Sequence, residues 1–173
     1  NIVMFKKASL FLIVISSNFA FAGVSGTPNP NANIEEYVFS YQMSAKNNYT
    51  LVNIDNYKVV SGNIIGNLVI GEASGPLVTK GNSFENKCAV FGKIMPFESQ
   101  LESYCVLAKG DSKIFLTSIR TKGSTDSGEK NIGSNTIIGG TGEYAKIKGK
   151  CNYEVEYKEN SELIVNGNCN YTN

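Results

Sequence analysis

Apolar and polar residues alternate along most of the chain with the period of two that is typical of β-strands. Every second residue of 37–42 is aromatic, and Tyr153, Val155 and Tyr157 share one face of segment 152–157. No segment of ten or more residues combines a helical period with capping residues. Short strand segments separated by turn residues recur about eight to ten times, which predicts an all-β sandwich or barrel.

The first half of this pattern is interrupted by glycines. Segments 37–42, 49–52, 57–60 and 63–70 are predicted as separate strands, and Gly62 and Gly66 fall at or inside the last of them. Glycine weakens a strand unless it forms a bulge or a sharp bend, as at the corner of a barrel. Further along, a polar loop is predicted over 122–130 and a short strand over 134–138.

The N-terminal segment has the pattern of a secretory signal peptide. Met4 is the expected translation start, Lys6 and Lys7 form a basic region, and an apolar run over 8–15 precedes an A-x-A cleavage site at 20–22. The run is far shorter than the roughly 20 residues that span a bilayer, so an uncleaved anchor is the less favoured alternative. We therefore predict a signal peptide over 1–22, a flexible leader rich in Gly, Pro and Asn over 23–33, and one domain over 34–173. The mature protein would be periplasmic or extracellular.

Charge and composition exclude several classes of function. Cleavage after residue 22 would remove Lys6 and Lys7 and change the net charge from +1 to −1. This near-neutral balance with a single arginine predicts no nucleic-acid partner, and no later segment predicts stable membrane insertion. The chain has no histidine, which removes the commonest general base and the commonest metal ligand. We predict no catalytic set, no cofactor and no metal, and we favour a binding protein over an enzyme.

Four cysteines in an exported chain favour disulfide bonds over free thiols or a zinc site. Cys88 and Cys105 are equidistant from a turn signal near Pro96, and Cys151 and Cys169 are equidistant from one at Asn160. Residues equidistant from a hairpin turn face each other at Cα separations of about 4.5–5.5 Å, which overlaps the range for disulfides. The spacing therefore predicts two hairpin disulfides, Cys88–Cys105 and Cys151–Cys169.

The sharpest local motif is Gly139-Gly140-Thr141-Gly142, with Gly149 following it. Phosphate-binding glycine loops connect a strand to a helix N-terminus and carry a Gly-Lys-Ser/Thr sequence. Strand-like sequence follows here instead. We therefore interpret the glycines as a structural turn, where they permit positive φ and close backbone approach.

This motif resembles the strand and Gly-Gly-Thr/Ser-Gly segment of plant dirigent proteins and allene oxide cyclases, and of exported bacterial proteins with the allene-oxide-cyclase-like barrel. The order of Gly75-Pro76-Leu77, the two cysteine strands at Cys88 and Cys105, and the turn at Gly110-Asp111 is also similar. The resemblance covers roughly residues 57–171. It implies an eight-stranded antiparallel calycin-like β-barrel whose cavity can hold a small apolar or aromatic molecule, and barrels of this kind commonly form homo-oligomers.

Three residues are candidates for ligand binding: Arg120, Tyr104 and Phe115. Arg120 is able to clamp a ligand carboxylate bidentately, with a solvated strand-end arginine as the alternative. The aromatic residues suit a lumen for a hydrophobic or aromatic ligand. The favoured function is non-catalytic binding of such a ligand; the alternatives are an interaction protein with a filled barrel and a cyclase or isomerase acting through pocket shape.

Overall fold

The computed structural model describes residues 34–96, 99–120, 122–123, 125–126, 128 and 130–173. The predicted signal peptide and leader lie outside the described residues. Eight antiparallel strands pair in chain order, and β8 pairs with β1 to close a barrel. Of the two predicted architectures, the structure is therefore the barrel. The strands are β1 (Tyr37–Ile54), β2 (Tyr57–Ala73), β3 (Ser83–Ile94), β4 (Ser99–Lys109), β5 (Ser112–Arg120), β6 (Lys130–Thr141), β7 (Lys148–Tyr157) and β8 (Glu162–Thr172).

Strands β1 and β2 form one long hairpin, where the sequence predicted four shorter strands. The glycines of β2 do not end the strand but lie where the paired backbone of β1 approaches it closely. A Cβ at Gly62 would lie 2.1 Å from the Asn48 carbonyl oxygen, and one at Gly66 would lie 2.3 Å from that of Ser44. Glycine here permits close backbone approach within a continuous strand.

Both predicted disulfides are present, and each links two directly opposed residues of a hairpin. Cys88 on β3 pairs with Cys105 on β4, and Cys151 on β7 pairs with Cys169 on β8. All four cysteines are buried inside the barrel. Two disulfides fit an oxidising environment such as that of exported proteins.

The glycine-rich motif brings β6 over the end of the barrel. Gly139 and Gly140 still belong to β6, so the predicted short strand 134–138 is longer at both ends. Opposite Phe115 and Leu116, Ile138 is the extra residue of a bulge. Gly142, with φ of +60°, then starts a 3-10 turn over Gly142–Tyr144 that inserts the Tyr144 side chain into the core.

One end of the barrel is filled by large apolar side chains. The connections β2–β3 and β6–β7 contribute Val78, Tyr144 and Ile147, each 0% exposed, and they pack with side chains of β3 and β8. The ring centroids of Phe84 and Tyr144 are 5.7 Å apart. We call this region the sealed end; it comprises Val78, Phe84, Tyr144, Ile147 and Tyr171.

Outside the eight strands the regular structure is sparse. The two helical elements among the described residues are 3-10 turns of three residues each. None is long and apolar enough to cross a membrane.

Candidate functional site in the barrel lumen

The barrel encloses a cavity to which all eight strands contribute. Its volume is about 90 Å³, and most of its wall is apolar. One water molecule requires about 10–15 Å³, whereas typical small-molecule sites measure about 300–1,000 Å³. The lumen therefore has room for a small or slender molecule in the conformation described. Apolar wall residues include Met43, Leu68, Val90, Leu101, Leu116, Val155, Leu163 and Val165.

A polar cluster occupies the end of the lumen opposite the sealed end. It comprises Tyr49, Ser118, Arg120, Tyr153 and Tyr157, and we call it the polar end. Arg120, the last residue of β5, points inward and is 3% exposed. Its Nη1 donates a hydrogen bond of 2.9 Å to the Tyr157 hydroxyl, and its Cζ lies 5.3 Å from the centre of that ring.

Two further hydrogen bonds orient tyrosine hydroxyls inside the barrel. The Ser118 hydroxyl donates to the Tyr153 hydroxyl at 3.1 Å. Towards the middle of the lumen, Nδ2 of Asn135 donates to the Tyr41 hydroxyl at 3.1 Å. Strands β1, β5 and β7 thus present hydroxyl groups, β6 presents an amide and β5 presents one cation to a lumen whose wall is mostly apolar.

Burial holds these tyrosines in their neutral form. Burial is the main cause that raises the pKa of Tyr41, Tyr49 and Tyr153 above the usual value. The positive charge of Arg120 acts in the opposite direction on Tyr49 and Tyr153. At neutral pH the phenols are therefore hydrogen-bonding groups rather than bases, and they suit recognition of a polar atom on a ligand.

Glycines on neighbouring strands make room for two of the tyrosine rings. A Cβ at Gly133 would lie 2.3 Å from the ring and hydroxyl of Tyr153, and a Cβ at Gly167 would lie 2.4 Å from the Tyr41 ring. Gly167 is paired with both Tyr41 and Tyr153 across the sheet. A larger residue at either glycine would therefore displace the tyrosine ring beside it.

The structure separates the three residues that the sequence suggested for ligand binding. Arg120 lines the lumen. Tyr104 is 57% exposed on the outer wall, where it stacks on Phe91 at 6.2 Å between ring centroids. Phe115 is also on the outer face of its strand, between the inward Ile114 and Leu116. The lumen thus brings together Arg120 with Tyr157, not with Tyr104 or Phe115.

Two of the lumen tyrosines, Tyr153 and Tyr157, follow from the sequence once the cysteines are taken to point inward. Cysteine is among the most often buried residue types, and alternate residues of a strand share a face. Counting in twos from Cys151 places Tyr153, Val155 and Tyr157 inside the barrel, as observed. The same count from Cys105 places Tyr104 outside.

A second concavity lies on the outer wall and is open to solvent. It measures about 1040 Å³ and follows a row of small polar residues across β1, β8, β7 and β6, namely Ser40, Asn168, Asn152 and Ser134. Because this concavity is broad and open to solvent, it has no position in which a ligand would be enclosed. Nowhere in the described part of the chain do three or more His, Cys, Asp or Glu side chains come together as a metal site would require.

Comparison of the chain with protein-family models, with curated proteins and with solved structures finds no match. The candidate site is thus defined by its own geometry.

Proposed function

We propose that this protein is an exported barrel of the allene-oxide-cyclase-like type that binds a small hydrophobic or aromatic molecule in its lumen without transforming it. The observation that carries the proposal is the apolar cavity with a buried polar cluster at one end. Ligand sites commonly combine an apolar wall with a few convergent polar groups that orient the ligand. The glycine motif at the end of β6 supports the family assignment.

The cavity sets the size of the ligand. At about 90 Å³ it suits a small molecule. The sealed end offers no entry because Val78, Tyr144 and Ile147 are fully buried there.

Native mass spectrometry of the gently purified, disulfide-bonded protein tests the proposal. We expect an extra mass that is lost on denaturation, or gained on incubation with an extract of lipids and aromatic metabolites. Leu116→Trp would fill the lumen and abolish this mass. Thr117→Trp, on the neighbouring outward position of β5, is the matched control and should retain it. A clean apo mass under every condition contradicts the proposal.

A second candidate function is that of an interaction protein with a filled barrel. Two observations favour it: the cavity is below the usual size for ligand sites, and an apolar stripe crosses the outer wall of β3 to β6. The stripe consists of Phe91, Tyr104, Ile119 and Ile132, each 44–64% exposed. Sedimentation of wild type and Ile119→Glu tests this candidate. Assembly that the glutamate abolishes, together with a clean apo mass, would favour it over ligand binding.

A further inference from the structure

The guanidinium of Arg120 has an unused binding edge. Its Nη1 is engaged by Tyr157, but Nε and Nη2 have no hydrogen-bond partner among the described residues. Nε and Nη2 lie on the same edge of the guanidinium, so their N–H groups point in parallel. This edge has the geometry that carboxylates bind bidentately.

No ion pair among the described residues supplies a counter-charge to Arg120. The five ion pairs within the described ranges each join a lysine to a glutamate at the surface, and none involves Arg120. An arginine cannot lose its proton in a protein, and an unpaired buried charge is costly. A ligand that brings a negative charge to this edge would therefore bind more tightly than a neutral ligand of the same shape.

The residues around the free edge of Arg120 indicate the chemical character of the rest of the ligand. Leu101 lies directly opposite Arg120 on β4, and Leu116, Val155 and Val165 continue the apolar wall towards the sealed end. We propose that the lumen binds a small amphipathic monocarboxylate, with its carboxylate on Nε and Nη2 of Arg120 and its aliphatic or aromatic part along this wall. The inference rests on the proposed function and adds the chemical class of the ligand.

Two matched pairs of compounds test the class directly. Benzoate and hexanoate carry the carboxylate, and benzamide and hexanamide have nearly the same shapes without the charge. Calorimetric titration of the full, disulfide-bonded chain should show at least one acid binding about 10- to 100-fold more tightly than its amide, the range expected for hydrogen bonds to a charged group.

Substitutions test whether Arg120 is the residue that causes the preference for the acid over the amide. Arg120→Met should remove the preference for the acid, and Arg120→Lys should keep part of it, because lysine retains the charge but not the planar fork. Lys113→Met removes a positive charge from the exposed face of the same strand and should leave the preference unchanged. Near-ultraviolet circular dichroism verifies that each variant is folded.

An NMR measurement on the wild-type chain tests the same inference without depending on whether the variants fold. The chain has a single arginine, so its Nε–H gives one side-chain NMR resonance that needs no further assignment. We expect benzoate or hexanoate to shift this resonance at the concentration at which it binds. Equal binding of acid and amide, or acid binding that leaves the resonance in place, overturns the inference and leaves the proposed function intact. If neither acid binds, the inference is also wrong, and native mass spectrometry with the metabolite extract separately decides the proposed function.

Discussion

At the sealed end, the ring of Phe84 packs on that of Tyr144 and the ring of Tyr171 packs on that of Phe39, whereas at the polar end Arg120 keeps one edge of its guanidinium without a hydrogen-bond partner among the described residues. The rings of the sealed end exclude water and bury apolar area, which is the main source of stability in a small domain. The polar end buries a charge and several hydroxyls, which stabilise the fold little or not at all. The contrast teaches that one end of the lumen maintains the fold, and that the other holds buried polar groups that add little to stability, which is where we propose that the ligand binds.

Truncation at the sealed end should have the largest effect. Phe84→Ala removes a ring that is 1% exposed, and we expect it to lower the free energy of unfolding by about 3–5 kcal/mol. Ser118→Ala, at the polar end, loses one hydrogen bond and should cost about 0.5–1.5 kcal/mol. Urea unfolding measures both values. Equal losses at the two ends would break the comparison.

Removal of either disulfide should have the next largest effect on stability. Each closes a loop of similar length, with sequence separations of 17 and 18 residues. Replacing either pair by alanine should therefore lower the free energy of unfolding by a similar amount, about 3 kcal/mol, mainly because the unfolded chain gains entropy. Thermal and urea unfolding of the two double variants measure the losses. A much larger loss for one pair would show that its hairpin contributes more than loop closure.

Alkaline pH should lower the free energy of unfolding, because the buried tyrosines of the lumen resist ionisation in the folded state. Burial raises the pKa of Tyr41, Tyr49 and Tyr153 in the folded state above their value in the unfolded chain, which is about 10. Their contribution to stability is thus fully present below about pH 10 and is lost as the pH rises through the folded-state values. Absorbance at the tyrosinate band should show late-titrating residues that become normal on unfolding. Tyr41→Phe should reduce that late amplitude; an unchanged amplitude would contradict the prediction.

A substitution on the outer wall should have the smallest effect on stability. Tyr104→Ser removes an exposed ring whose main contact is Phe91, so we expect at most about 1 kcal/mol of lost stability. It should also leave ligand binding in the lumen unchanged. Urea unfolding and the acid titration described above measure the two quantities. Loss of acid binding in this variant would place the site on the outer wall and reverse the contrast between lumen and surface.

Parity along a strand explains which of the candidate residues face the lumen. Arg120 and Phe115 are separated by an odd number of positions on one strand, so they cannot share a face without a bulge between them. Tyr104 directly follows an inward position and precedes Cys105, which puts it outside. The sequence contained this information, but it required knowing that the cysteines point into the barrel.

The sequence by itself determined the all-β class and both disulfide pairings, because the register of a hairpin depends on its own turn and on the pattern of the two strands beside it. Only the tertiary structure decided that β1 and β8 close the barrel, that Tyr144 folds back to seal one end, and that Arg120 lies inside rather than in solvent. These features depend on contacts between residues far apart in the chain, up to the pairing of Tyr37 with Tyr171. Local periodicity shows that a strand has two faces, and only closure of the sheet decides which of them surrounds the lumen.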